Sequence, residues 1–183
     1  MLSEKYRQML RDLAYESIKH GLNSGKALKI DVIDYPAELQ AKKATFVTLH
    51  RNEQLRGCIG ILQPVRPLAE DIAYNAWAAA FGDSRFMPVS ADELDDLDIH
   101  ISILATPEDL EFTSEEDLLL QIKPGTDGLI LEDGVNKGTF LPAVWQTLKG
   151  PREFLNHLKL KAGLPAHHWN DNIRVKRYTV EEF

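Results

Sequence analysis

Sulfur is nearly absent from this sequence: Cys58 is its only cysteine, and three methionines complete the count. One thiol cannot close an intramolecular disulfide or supply a Cys-rich zinc cage, so no disulfide scaffold and no metal site is expected, and a reducing compartment fits. Positive charge is also scarce, with 21 Lys and Arg against 28 Asp and Glu and a net charge of −7. Such a balance lacks the electrostatic footprint of a phosphate-backbone binder, which excludes nucleic acid as the expected partner. Long hydrophobic runs are missing as well. The most apolar stretch, Ala76 to Phe81, is far shorter than the ~20 residues that span a bilayer. The opening MLSEKYRQMLRDL is charged from its fourth residue, unlike a secretory leader. The expectation is a cytoplasmic protein with no membrane partner.

What is present is ordinary for a globular chain: 44% hydrophobic, 27% charged and 8% aromatic residues, away from the corner where chains stay disordered. At 183 residues the length matches one domain, 1–183, with room at most for a small lobe on the same core.

Tyr6, Met9, Leu10, Leu13, Ala14 and Ile18 recur at helical spacing, with Ser3 as N-cap and Gly21 as the stop. The β-rich segments 45–49 and 55–62 flank Arg51-Asn52-Glu53-Gln54 and predict a hairpin. Pro67 opens a second helix that Gly82 ends, and its run of alanines implies close packing. Ser90 and Glu93 have capping-box spacing ahead of a strand over 97–103. A short helix over 114–122, a hairpin turning at Asp133-Gly134, a helix opened by Pro142, another after Gly150-Pro151, and a final strand over 173–180 complete the pattern. The fold class expected is α+β, a mixed, partly antiparallel sheet flanked by helices.

The densest chemical signal is Leu55-Arg56-Gly57-Cys58-Ile59-Gly60. Strand alternation would place Arg56 and Cys58 on one face, where a guanidinium favours a thiolate, while Gly57 and Gly60 allow a ligand or another backbone to approach. The competing reading makes Cys58 a small buried hydrophobe and gives the glycines to a bulge.

This hexapeptide resembles the signature of the AMMECR-type domain family, the family of the AmmeMemoRadiSam system protein A. Further segments are similar to that family: Ala79 to Phe86 with Pro88, Ile101 to Leu104, Gly125 to Gly128, Thr139 to Pro142 with Val144, Phe154-Leu155 through Leu164, and Val180 to Phe183. The resemblance spans nearly the whole chain. It implies one α+β unit with a larger and a smaller lobe, and a functional surface where LRGCIG, DSRF and TFLP come together. It also implies a Memo-like protein and a radical S-adenosylmethionine protein as partners, while supplying neither a reaction nor a cofactor. Relatives of this kind carry an acidic residue where this chain has His100, so no role is placed there.

In the DSRF loop, Asp83 and Arg85 offer an acid and a planar cation suited to an anionic ligand, or alternatively a pair that braces the loop. Thr139 offers a hydroxyl donor, whereas Asp127 reads as turn chemistry. His167 and His168 are neighbours that cannot share a face, which argues against a metal site. Gly21 to Lys26 departs from a phosphate loop in spacing and in its lack of a preceding strand. Two functions follow. In one, an enzyme or enzyme component binds a small anionic metabolite, with Cys58 as nucleophile or covalent handle, Arg56 and Arg85 as clamps and Thr139 as donor. It lacks an assigned base. In the other, a non-catalytic binding or adaptor module uses the same cleft for a partner.

Overall fold

A computed structural model describes residues 1–183. In chain order its elements are α1 (Glu4–Ser24), α2 (Ala37–Gln40), β1 (Ala44–Arg51), β2 (Gln54–Gly60), α3 (Leu68–Phe81), β3 (Leu97–Leu104), β4 (Glu108–Leu110), α4 (Glu115–Gln121), β5 (Gly128–Asp133), β6 (Asn136–Phe140), α5 (Pro151–Lys161), β7 (Arg174–Tyr178) and β8 (Val180–Glu182). The chain divides into two compact units, Met1–Leu104 with Glu181–Phe183, and Ala105–Val180. The class is α+β, as expected, and the strands are shared between two four-stranded antiparallel sheets. No helix is long and apolar enough to cross a membrane.

In the first unit the sheet order is β2-β1-β3-β8. β1 pairs antiparallel with both neighbours, and Ile101 of β3 and Phe183, the residue just after β8, exchange both backbone hydrogen bonds. Asn52 and Glu53 at the β1–β2 turn have φ of 50° and 62°. Positive φ at both central residues is the signature of the tight turn whose twist matches a hairpin, which the sequence had placed at 51–54. Val47, Leu49, Ile101 and Ile103 face one way and bury against Leu10, Leu13, Ile18 and Ile72 of α1 and α3. Each fully buried aliphatic chain contributes ~1.5–3 kcal/mol. Ala69, Ala73, Ala76 and Ala80 let α3 lie close in that core.

α1 starts at the expected cap, where Ser3 Oγ accepts from the Tyr6 amide. It runs through Gly21 and ends at Gly25, whose φ is 69°. Gly21 is not a stop. A Cβ there would collide with the Trp77 and Phe81 rings, so this glycine serves helix packing. Asp71 on α3 is fully buried and accepts from Thr45 Oγ1 at 2.6 Å, Asn75 Nδ2 at 2.9 Å and Arg66 Nη1 at 3.0 Å. Burial pushes its carboxyl up, against those bonds.

The second unit has the sheet order β4-β7-β5-β6. Its core joins Leu129, Leu131 and Val175 to Leu118 of α4 and to Phe154, Leu155 and Leu158 of α5. Gly134, with φ of 61°, makes the β5–β6 turn. Pro142 opens only a 3-10 turn over Pro142–Gln146, and Trp145 stacks on Phe154 with ring centroids 3.9 Å apart. The single final strand expected over 173–180 is two strands, β7 and β8, belonging to different sheets.

Candidate functional site

The sheet register passes over Arg56. Leu49 pairs with Gly57 and His50 with Leu55, so Arg56 is the extra residue of a β-bulge, which breaks alternation and re-aims a side chain. Arg56 reaches Glu93, with Nε at 2.9 Å and Nη2 at 2.8 Å from the carboxylate, and donates to the Met87 and Pro88 carbonyls at 2.9 and 3.3 Å. Gly57 faces α3, where a Cβ would run into the Ala79 carbonyl oxygen. Cys58 points the other way, its Sγ 3.2 Å from Thr48 Oγ1. The expectation that Arg56 and Cys58 share a face is therefore corrected, because period-two alternation fails at a bulge.

Glu93 lies in the turn before β3 and also takes Arg51 Nη1 at 3.1 Å and the Ser90 amide at 2.9 Å, the latter closing the expected capping box. Arg56, foremost, and the Ser90 amide hold its carboxyl down at about 2. The Arg56 guanidinium is thus committed to the protein rather than held out for a ligand.

β2 is an edge strand, and the loop after α3 covers the backbone of Cys58. Asp83 Oδ2 accepts the Cys58 amide at 2.9 Å, and Arg85 Nη2 donates to the Cys58 carbonyl at 3.4 Å. The two side chains are joined to each other, Arg85 Nε to Asp83 Oδ1 at 2.9 Å and Nη2 to Oδ2 at 2.6 Å. Together they supply the donor and acceptor that a neighbouring strand would, which blunts an exposed edge. Arg85 holds Asp83 well below the usual carboxylate range. Of the two roles weighed for this pair, the bracing one is built. Gly60 belongs to the same economy of space, since a Cβ would meet the Thr45 carbonyl and the Phe46 ring. Neither Gly57 nor Gly60 has positive φ; close approach is what each provides.

Thr48 is the centre of the face that carries Cys58. It pairs with Cys58 on β2 and with His100 on β3, so the three side chains form a row across three strands, with opposed Cβ atoms about 5 Å apart. His100 Nε2 is 2.8 Å from Asp98 Oδ2, and the His50 ring meets the His100 ring edge-on at 5.1 Å. Thiol and hydroxyl are in hydrogen-bond contact, imidazole and carboxylate are in contact with each other, and the register alone sets His100 opposite Thr48. Sequence reasoning set His100 aside and missed Thr48, Asp98 and Glu93. Period-two alternation showed His100 on a polar face, but only the pairing of β1 with β3 shows what stands beside it.

Thr139 lies on β6 of the second unit, where its hydroxyl donates to the Leu129 carbonyl at 2.9 Å and sits 3.0 Å from the Tyr178 hydroxyl. That donor is engaged. Burial pushes the Tyr178 phenol up to about 12. Asp127 is buried as a turn brace, its Oδ2 accepting the Lys123 amide at 2.8 Å. His168 is held by Asp133 at 2.7 Å, with Asn170 on the same carboxylate at 3.0 Å.

The AMMECR1 family model matches residues 11–183. A protein of Methanothermobacter thermautotrophicus is 38% identical over 192 residues, covering 98% of this chain and 97% of its own length. Another, of Thermotoga maritima, is 40% identical over 173 residues, covering 93% of this chain and 94% of its own. The crystal structure of uncharacterized protein PH0010 from Pyrococcus horikoshii is similar with a TM-score of 0.88 at 37% identity, covering 99% of this chain and 92% of that one. A match of this extent, over both units and with the LRGCIG strand inside it, makes the chain a member of the AMMECR1 family.

Proposed function

We propose that this protein is an enzyme component that handles a small anionic metabolite through the Cys58 thiol. The observation that carries the reading is the 3.2 Å contact between Cys58 Sγ and Thr48 Oγ1, in register with His100. In this scheme Thr48 Oγ1 is the hydrogen-bond partner of the thiol, and His100, opposite Thr48 on β3 and held by Asp98 at 2.8 Å, is the base that the face offers for the thiol proton. Cys58 then acts as nucleophile or transient covalent handle. Arg85, whose side chain is 55% exposed, is the cation left to meet an anion, since Arg56 is closed in by Glu93 and two carbonyls. The resemblance adds, as part of this proposal, a Memo-like protein and a radical S-adenosylmethionine protein as partners in a reducing cytoplasm; net charge and composition support a reading without nucleic-acid or membrane partners.

The adaptor reading keeps a place because Asp83, Arg85 and Arg56 all serve the fold, leaving a sheet face on which a protein partner packs over Cys58. Alkylation of Cys58 by iodoacetamide at neutral pH separates the two. The proposal expects Thr48→Val and His100→Gln each to slow the native-state reaction at least about threefold at unchanged stability, since thiolate supply governs the rate. A thiol inert in all three proteins, or one whose rate ignores both changes, removes the nucleophile and leaves the adaptor.

A further inference from the structure

The connection from β2 to α3, residues 61–67, is tied at its ends. The Ile61 amide donates to the Thr45 carbonyl at 3.1 Å, and Pro67 forms an isolated bridge with Lys42. Between those ties, from Leu62 to Arg66, no backbone hydrogen bond is made, and Gln63, Pro64 and Val65 are exposed. Of the two half-buried side chains in the segment, Leu62 and Arg66, only the second makes polar contacts. Arg66 Nη1 lies 3.0 Å from Asp71 Oδ1, and its guanidinium stands 4.0 Å from the Tyr74 ring centroid. The middle of the connection therefore hangs on one ion pair.

The two members of that pair sit in different surroundings, the Arg66 side chain 29% exposed and that of Asp71 fully buried. Asp71 faces Thr45 from β1 and Asn75 from its own helix, both neutral, and Arg66 is the one charge that acts on it. A carboxylate taken out of water is costly to keep charged and binds a proton more readily than an exposed one. Burial pushes Asp71 up, whereas Arg56 holds Glu93 down at about 2 and Arg85 holds Asp83 well below the usual range. Acidification thus neutralises Asp71 while those two remain charged and the contacts they brace stay in place. The closed cluster is also incomplete, since Asn75 Oδ1 is buried with no partner. Water admitted to the cluster would relieve that deficit.

We propose that residues 62–66 form a proton-released strap: neutralisation of Asp71 frees Arg66, and the segment lifts from α3 while its tied ends stay in place. The proton comes from solvent to the oxygen that Arg66 gives up, and the guanidinium keeps its charge and moves into water. Its stack on Tyr74, at the surface, is a weak hold by itself. Opening begins just past Ile61, the residue that follows β2, so the first unit has a pH-dependent conformation beside the strand that carries Cys58. The strap uses none of the residues around the thiol.

A nitroxide attached through Val65→Cys, at an exposed position, in a Cys58→Ala background of the full chain reports the strap through its electron paramagnetic resonance line shape. The expected result is a restrained spectrum at neutral pH and a mobile component that grows reversibly on acidification, reaching half of the signal before pH falls to 3.8, the ordinary aspartate value. Asp71→Asn, which copies the neutral form, should be mobile already at neutral pH and indifferent to acid. Arg66→Gln, a change at a half-exposed position, should behave in the same way and decides the matter if Asp71→Asn does not fold. A spectrum that pH leaves unchanged, or a transition that survives in either variant, overturns the proposal; circular dichroism at each pH establishes that the proteins compared are folded.

Discussion

Arg56 and Cys58, two positions apart in β2, face opposite sides of their strand: Arg56 is closed onto Glu93 at 2.8 Å, while Cys58 Sγ lies 3.2 Å from Thr48 Oγ1. The guanidinium therefore supports the fold through a carboxylate, and the thiol's immediate neighbours are a hydroxyl and, one strand farther, an imidazole. Each half of this arrangement has consequences that can be measured.

Glu93 is the acceptor on which Arg51, Arg56 and the Ser90 amide converge. Glu93→Gln should cost about 2 kcal/mol at neutral pH, the scale of charge-assisted hydrogen bonds lost in a mostly buried site. Its folded value of about 2 lies below the ordinary 4.5, so the folded state binds this proton less readily than the unfolded state does. The stabilisation is complete above pH 4.5 and disappears as pH falls toward 2. Urea titrations across that range should show the wild type converging on the variant; a stability gap that persists at the acid end contradicts the assignment.

Gly57 and Cys58 should differ sharply in tolerance. Gly57→Ala forces a Cβ against the Ala79 carbonyl of α3 and should cost about 3 kcal/mol. Cys58→Ala removes one sulfur and one weak hydrogen bond and should cost about 1 kcal/mol or less. Denaturant midpoints of the two variants give the order directly, and the reverse order would make the thiol a packing residue.

Arg85→Ala releases Asp83 from its partner and withdraws the donor from the Cys58 carbonyl. Uncovering an edge strand invites pairing with another chain, so static light scattering should detect concentration-dependent association in this variant and not in the wild type. A monodisperse variant would show that the loop, without the ion pair, suffices to cover β2.

Binding to duplex DNA should be negligible at physiological salt, because a net charge of −7 repels a polyanion. Fluorescence anisotropy with a labelled duplex checks this, and micromolar affinity that weakens with salt would defeat the charge argument.

The elements carried by local chemistry were legible in the sequence. Ser3, the positive-φ turn at Asn52 and Glu53, and the Ser90–Glu93 box each act within a few residues of chain, where side-chain type and spacing determine the geometry. Gly21 was misread because its reason is two aromatic rings on another helix. The bulge at Arg56 escaped because no residue in β2 announces which partner it skips; that is a property of the β1–β2 register. The Thr48 and His100 neighbours of the thiol escaped for the same reason, since pairing between β1 and β3 joins residues far apart in sequence. Cys58 itself was visible, flanked by glycines whose need for close approach is now explained.

The second unit interrupts the first between β3 and β8. Near its two ends, the Ala105 amide donates to the Thr179 carbonyl at 2.9 Å. The unit thus behaves as a clasp: once folded, it brings the ends of a long excursion together and reduces the loop-closure entropy opposing the addition of β8 to β3. Local unfolding of the clasp should therefore loosen the outermost strand of a sheet to which the clasp itself does not belong. Amide exchange at Ile101 and Phe183, which bond each other across that pair, should then follow the opening of the second unit, while Val47 and Leu49 in the centre of the sheet keep the protection of the first.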